Sequence, residues 1–341
     1  VYDRSSPSGD AVELLDYMLT SLAELGITVM LISGNHDSGQ RLSFGRSLLA
    51  KQNIHIAGTV QKHIEHVSVS DENGEVIFWL LPYLFPDQVS KLLEDDNIHS
   101  YDQAMRALLA EQDIDFTKRN VLVAHQNVVA NGKEVERGGS ESMVGGVGQI
   151  DFTAFDGFDY VALGHIHSAY HVGREEVRYA GTPLCYHLEE TRQKNKGPVL
   201  VELADKGHIK ITTDTIKPLH LMRYLVGTKQ EIYDLLKDDK GRDEYIGITV
   251  TDERITPEVN AYLRGLVSSR GSVLMQLIST HTAFTGNVTS SATETETKAL
   301  EELFADLYTE QSGGTPPNEK EYIVMEYVAE LVRNQDCHMP L

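Results

Sequence analysis

Apolar residues recur at helical spacing through residues 10–25, at Leu15, Met18, Leu19, Leu22 and Leu25, with Ser8 or Asp10 able to cap the helix and Gly26 to stop it. The run ITVMLIS (27–33) is continuously apolar and β-branched, the pattern of a strand buried on both faces of a parallel sheet. The same order then repeats: a helix near 41–51, a short strand IHIAG, and a hairpin whose arms IEHVSVS and EVIFWLL flank the turn at Asp71–Gly74. Helical stretches at 86–94 and 100–112 lead to the strand NVLVAH (120–125). A glycine-rich loop (138–148) leads to DYVALGHIH (159–167), and EVRYAGTP with the pair PVLVEL and HIKITTDTI closes a first domain at 1–217. Helices alternating with buried strands predict a layered α/β sheet. Beyond Pro218 the pattern reads β-α-β-α-β over 218–280, a small separate α/β domain. A polar, aperiodic linker (281–293) follows, and then two amphipathic helices within 294–341, broken by a turn at 312–317.

Composition narrows the classes. The 41% apolar content is enough for a sizeable core, and no apolar run approaches the ~20 residues that span a bilayer, so no membrane association is expected. Two cysteines, Cys185 and Cys337, build neither a disulfide framework nor a CxxC zinc site, which fits a reducing, cytoplasmic setting. The net charge of −21 argues against coating DNA through a broad basic surface. The acid is concentrated towards the end, with 11 Asp and Glu against 3 Lys and Arg from residue 281 onward. That tail is better suited to touching protein than DNA.

Three chemically loaded segments each follow a buried strand: Asn35-His36-Asp37, His125, and His165-x-His167. Ligands of open α/β sheets bind beyond the carboxyl ends of strands. In an extended segment alternate residues face the same way, so His165 and His167 are expected to point into one cleft. Neutral imidazoles and an amide oxygen suit Mn²⁺, Fe²⁺ or Zn²⁺ better than Ca²⁺. Each piece alone also has a structural reading: His125 as a hydrogen-bonded histidine, and Gly34–Asp37 as a turn. Their conjunction, in this order and at strand ends, favours a site.

With GNHD (34–37), VLVAHQNV (121–128) and GHIH (164–167) in place, the chain resembles the calcineurin-like metallophosphoesterase superfamily. VYDRSSPS at 1–8, ALGHIH followed by RYAGTPL, and the β-α-β-α-β domain make it similar to the SbcD branch, the bacterial counterpart of break-repair nucleases. The resemblance covers essentially the whole chain and is strongest over 1–200. It implies a metallophosphoesterase β-sandwich flanked by helices, with 218–280 as a small capping domain, against the alternative of a stabilising appendage. It implies two divalent ions, Mn²⁺ foremost, with Asn35, His125 and His165 on one and His167 on the other. His36 matches the non-ligand histidine over the scissile phosphate, acting on transition-state charge or on the leaving oxygen. Asp37 either orients that imidazole or caps the next turn, the second being preferred, and Asp3, Arg4 and Ser5 lie near the site.

The resemblance further implies that an Asp-x-His strand and a Gly-Asp element precede Val1, so that the chain is expected to be truncated there and, as it stands, inactive. DNA is the implied substrate, attacked as a double-strand exonuclease and single-strand endonuclease. The 294–341 helices are implied to bind the coiled-coil base of an SbcC-type ATPase, against the alternative that they pack on their own body. The first helix is implied to form a homodimer within a heterotetramer. Two competing readings remain open: a phosphoesterase acting on nucleotides or small phosphodiesters, and a non-catalytic scaffold that holds DNA ends.

Overall fold

The computed structural model describes residues 1–130, 148–193, 196–237, 243–281, 305, 308, 316–318 and 320–324. The chain divides into two compact units, Val1–Tyr224 and Leu225–Leu341. The linker at 281–293, the helices expected within 294–341 and the glycine-rich segment 138–147 lie almost wholly outside the described residues, as does Cys337.

The first unit opens with the helix Gly9–Glu24. Ser8 caps it by accepting a hydrogen bond from the Ala11 amide at 3.3 Å. Strand β1 (Val29–Ile32) pairs in parallel with β2 (Ile54–Ala57). Between them the expected helix at 41–51 is broken into two single turns, Gly39–Leu42 and Arg46–Leu49. Gly45 takes a φ of +73°, a left-handed conformation that no continuing helix allows.

The hairpin β3 (Glu65–Asp71) and β4 (Gly74–Leu81) begins a six-stranded sheet. The chain continues through β5 (Arg119–His125), β6 (Asn127–Val129), β7 (Gln149–Asp151), β8 (Tyr160–Gly164), β9 (Tyr170–Val172) and β10 (Arg174–Tyr179). The spatial order is β3-β4-β5-β8-β10-β9. Neighbours from β4 to β10 run parallel, and the two edge strands run antiparallel. The short pair β6–β7 stands apart from the main sheet.

Side chains alternate across this sheet because a strand's period is two. On one face Ile77, Trp79, Leu122 and Val161 meet Val89 from the helix Pro86–Leu93 and Met105 and Leu108 from the helix Tyr101–Ala110. Ser100 caps the latter through a capping box with Gln103. On the other face Val76, Val121 and Tyr160 meet Val201, Leu203, Ile209 and Ile211 of the hairpin β11 (Val199–Leu203) and β12 (Ile209–Thr213). The sheet is thus covered on both faces, by helices on one and by a second β layer on the other.

The second unit has its own core. Strands β13 (Leu221–Gly227), β14 (Glu244–Val250) and β15 (Val273–Ser279) form a three-stranded sheet in that order, with β14 and β15 parallel. The helices Lys229–Lys237 and Pro257–Ser268 bury Ile232, Leu236, Val259, Leu263 and Val267 against Ile246, Ile248 and Val250. The division at Tyr224 falls inside β13, slightly beyond the boundary expected at Pro218.

Trp79 is the only tryptophan of the chain and lies in the core of the first unit, its indole donating to Asn120 Oδ1 at 2.9 Å. Its fluorescence therefore follows unfolding of that unit alone. Leu108→Ala, which empties a fully buried position, is expected to cost about 2–5 kcal/mol in urea unfolding followed by Trp79 emission.

Candidate metal centre

The carboxyl ends of β4, β5 and β8 line up, because Leu81 lies opposite Ala124 and His125 opposite Gly164 in the parallel register. The end of β1 joins them through the Tyr83 amide, which donates to the Ser33 carbonyl at 3.0 Å. Three loops therefore emerge together, carrying Asn35, His125 and His165.

His125 Nε2 and Asn35 Oδ1 lie 2.9 Å apart, and the His125 and His165 rings meet edge to face at 5.3 Å. Two glycines make room for the His125 ring. A Cβ on Gly34 would stand 2.8 Å from its Cε1, and one on Gly164 2.7 Å from its Nδ1. Burial, with the neighbouring His165 adding to it, pushes the His125 imidazole down to about 3. The ring is therefore neutral near pH 7, the form that ligates a metal. Two ligand atoms bound to one ion at about 2.1 Å and at a right angle stand about 3 Å apart, so the Asn35–His125 separation fits a shared divalent ion.

Strand β8 stops at Gly164, and His165 takes a φ of +99°. The segment 164–167 is therefore not extended, and strand alternation does not explain where its histidines point. A non-glycine residue in this region is strained, at a cost of order 1–3 kcal/mol, and persists only where its surroundings hold it. The strain turns the chain so that His165 stays beside His125 while His167 enters a different set of contacts.

His167 Nδ1 lies 2.9 Å from Glu190 Oε1, and its ring stacks on His187 at 5.8 Å with an interplanar angle of 8°. Glu190 Oε1 also accepts from the His187 amide at 3.1 Å. Its Oε2 accepts from Thr182 Oγ1 at 2.9 Å, from the Tyr186 amide at 3.2 Å and from Lys196 Nζ at 2.7 Å. Burial works against the Glu190 charge, but the hydrogen bonds from His167, Lys196, Tyr186 and Thr182 outweigh it and hold the carboxyl down at about 2. His167, His187 and Glu190 place ligand atoms within 4.8 Å of one another, a group able to hold a metal ion. The two Glu190 oxygens already accept five bonds, however, so the carboxylate serves better to orient His167. Donation through Nδ1 puts the imidazole lone pair on Nε2, the arrangement of a carboxylate–histidine–metal triad.

His36 and Asp3 meet at the rim, with His36 Nδ1 2.9 Å from the Asp3 carbonyl oxygen. Asp3 accepts a hydrogen bond from the Tyr186 hydroxyl and pairs with Arg4 at 3.4 Å. The Tyr186 bond outweighs the opposing effect of burial and, with Arg4 and His36 adding to it, holds the Asp3 carboxyl below the usual range. Tyr186 in turn packs edge-on against His167 at 5.6 Å, which links Asp3 to the His167 group. Arg4 itself is largely exposed. Asp37 accepts from the amides of Gly34 and Tyr2, each at 2.8 Å, and from the Val1 nitrogen at 2.9 Å. Those bonds are backbone anchoring of the turn, and none goes to the His36 ring.

Sequence reasoning missed Glu190, His187, Lys196 and Tyr186. They lie beyond the last motif and reach it only through tertiary contacts. The one local signal is that Glu190 follows His187 at the three-residue spacing of a capped turn.

Residues 1–169 match the model of the calcineurin-like phosphoesterases, and the chain carries such a domain. It is related to two staphylococcal proteins named as the D component of the nuclease SbcCD. That of Staphylococcus epidermidis is 28% identical over 74% of this chain and 66% of that protein. That of Staphylococcus saprophyticus is 30% identical over 72% of this chain and 64% of that protein. The matched stretch spans just under two thirds of the length of these relatives. Among the described residues no helix is long and apolar enough to cross a membrane.

Glu190→Gln tests the orienting carboxylate. Because the folded-state value lies below the unfolded one, Glu190 contributes fully above about pH 4.5, and its contribution is lost as pH falls towards about 2. In chelated protein the variant is expected to be less stable than the parent at pH 7, by about 3 kcal/mol for a broken buried pair with Lys196. The deficit should shrink as the pH drops below about 4.5. A deficit independent of pH in that range, followed by Trp79 fluorescence, would assign Glu190 a packing role only.

Proposed function

We propose that this chain is the metal-dependent nuclease component of an SbcCD-type complex, hydrolysing phosphodiester bonds of DNA as a double-strand exonuclease and single-strand endonuclease in the cytoplasm. The observation that supports it most is the convergence of Asn35, His125 and His165 at the aligned strand ends, with His167, two residues beyond His165, fixed by its own carboxylate. The names of the two staphylococcal relatives point the same way.

Two divalent ions, Mn²⁺ by the family resemblance, would supply positive charge for a phosphate oxygen and acidify a water. The chain's own residues do the rest. Asn35, His125 and His165 would hold one ion, and His167 would hold the other with its ring fixed by Glu190. The His36 ring, with Nδ1 beside the Asp3 carbonyl oxygen, is left to act through Nε2 on the developing charge or on the leaving oxygen. Asp37 keeps the turn carrying Asn35 and His36 in shape through its bonds to backbone nitrogens.

The small α/β unit is proposed to cap the site. The segment 294–341, acidic and amphipathic in sequence, is proposed to bind an SbcC-type ATPase. The helix Gly9–Glu24 leaves Leu14, Tyr17 and Met18 more than half exposed, which supports a homodimer contact there within a heterotetramer.

The full-length protein is to be assayed on end-labelled duplex DNA with Mn²⁺, beside His165→Ala. Mn²⁺-dependent shortening that falls at least a hundredfold in the variant is the expected outcome. Hydrolysis of small phosphodiesters with no effect on DNA would replace this reading by a small-substrate phosphoesterase.

A further inference from the structure

An aromatic cluster stands beside the His125 and His165 rings, and the metal chemistry does not use it. The Tyr83 ring centroid lies 6.1 Å from each of them. Phe85 meets Tyr83 edge to face at 5.0 Å, and Tyr101 stands 6.2 Å from Tyr83 and 6.4 Å from Phe85. The Tyr83 hydroxyl donates to that of Tyr101 at 3.3 Å. Tyr83 is anchored through its amide to the Ser33 carbonyl, the same frame that carries Asn35. Tyr101 packs on the main core. Two rings of the cluster are thus fixed from behind.

Phe85 is different. Its neighbours Leu84 and Val89 are fully buried, whereas Phe85 itself remains 52% exposed. Its backbone is extended at the N-cap of the helix Pro86–Leu93, a conformation that the following proline favours. The cluster therefore presents one half-open ring, backed by two fixed ones, two short steps from the histidines.

We infer that Phe85, supported by Tyr83 and Tyr101, is the stacking surface for an unpaired nucleobase attached to the phosphate under attack. The inference rests on the phosphodiesterase reading of the site and specifies its substrate further. A base hangs one sugar from its phosphate, and Phe85 lies two ring contacts from His125, 6.1 Å to Tyr83 and 5.0 Å on to Phe85. Its flat π face is what an edge-supported phenyl ring accepts, whichever base it is. A base inside a duplex has both faces covered, so the subsite takes a frayed end, a loop or a single strand. Stacking also suits a chain of net charge −21, which has little long-range attraction for a polyanion. Retention at this subsite then depends only weakly on salt.

The test compares the full-length parent, Phe85→Ala and Phe85→Trp on oligonucleotides whose terminal nucleotide carries either a base or an abasic tetrahydrofuran. The expected result is a loss in kcat/KM of about tenfold or more for Phe85→Ala on the base-bearing DNA. That loss should be absent on the abasic DNA and restored by Phe85→Trp. An equal loss on both substrates, or none on either, overturns the inference. DNA ending in 2-aminopurine, titrated without Mn²⁺, reads stacking without turnover: Phe85→Trp should quench its emission beyond the parent, and equal emission overturns the inference. If the parent neither cleaves nor binds DNA, the nuclease reading fails by itself. Thymidine 5′-(p-nitrophenyl phosphate) against methyl p-nitrophenyl phosphate then decides the subsite, which requires Phe85→Ala to lose rate on the nucleotide alone.

Discussion

The parallel register of β4, β5 and β8 is the constraint from which the candidate site follows. With His125 opposite Gly164, and Leu81 opposite Ala124, three strands end at one edge and their loops leave the sheet side by side. The ring of His125 then fits only because the residues facing it, Gly34 and Gly164, carry no side chain. The two glycines belong to the very motifs that supply Asn35 and His165. Each motif thus contributes a ligand candidate and the space its neighbour needs, and a slip of one residue in the sheet would spoil both at once.

The two histidine groups are kept in metal-binding form by different physics. Around His125 the cause is desolvation, reinforced by the second imidazole beside it, which makes a positive charge there costly. Around His167 the cause is a hydrogen-bond hub. Glu190 stays ionised in a buried position because Lys196 and four other donors compensate it, and it spends one of its bonds on fixing the His167 tautomer. Such a hub costs desolvation to build, and removing one partner leaves another uncompensated.

Much of this was legible in the chain. The continuous apolar runs marked the strands, buried in β5 and β8 but only partly buried in β1, and the placement of Asn35, His125 and His165 at their ends was enough to bring these residues together. The helix at 10–25 was readable because its apolar spacing and its Ser8 cap agree, and those at 86–94 and 100–112 also form where they were expected. What was not legible depended on backbone conformation or on distance in sequence. The helix expected at 41–51 breaks at Gly45, where a left-handed φ outweighs an otherwise helical pattern. His165 and His167 were expected to point the same way as alternate residues of an extended segment, but the strand ends at Gly164 and His165 turns the chain by a positive φ, so strand alternation is not what orients them. Glu190 and Lys196 carry no local pattern that links them to His167, because the pairing exists only once β8 and the loop after β10 are folded.

The strained His165 shows what the frame is for. A φ of +99° at a non-glycine residue is stable only if the alternatives cost more. Here Gly164 is pinned in the sheet against His125, and the His167 carbonyl three residues later accepts from the Thr182 amide at 3.0 Å and from Lys196 Nζ at 3.0 Å. The residue is held from both sides, with little freedom to relax towards the β region. Folding energy from the sheet is thereby stored as a fixed geometry at the rim, so the ligand candidates stand in place before anything binds. A site prepared in this way spends little binding energy on ordering its own side chains. That rigidity leaves the half-open Phe85 as a part of the rim with room to adapt to what arrives.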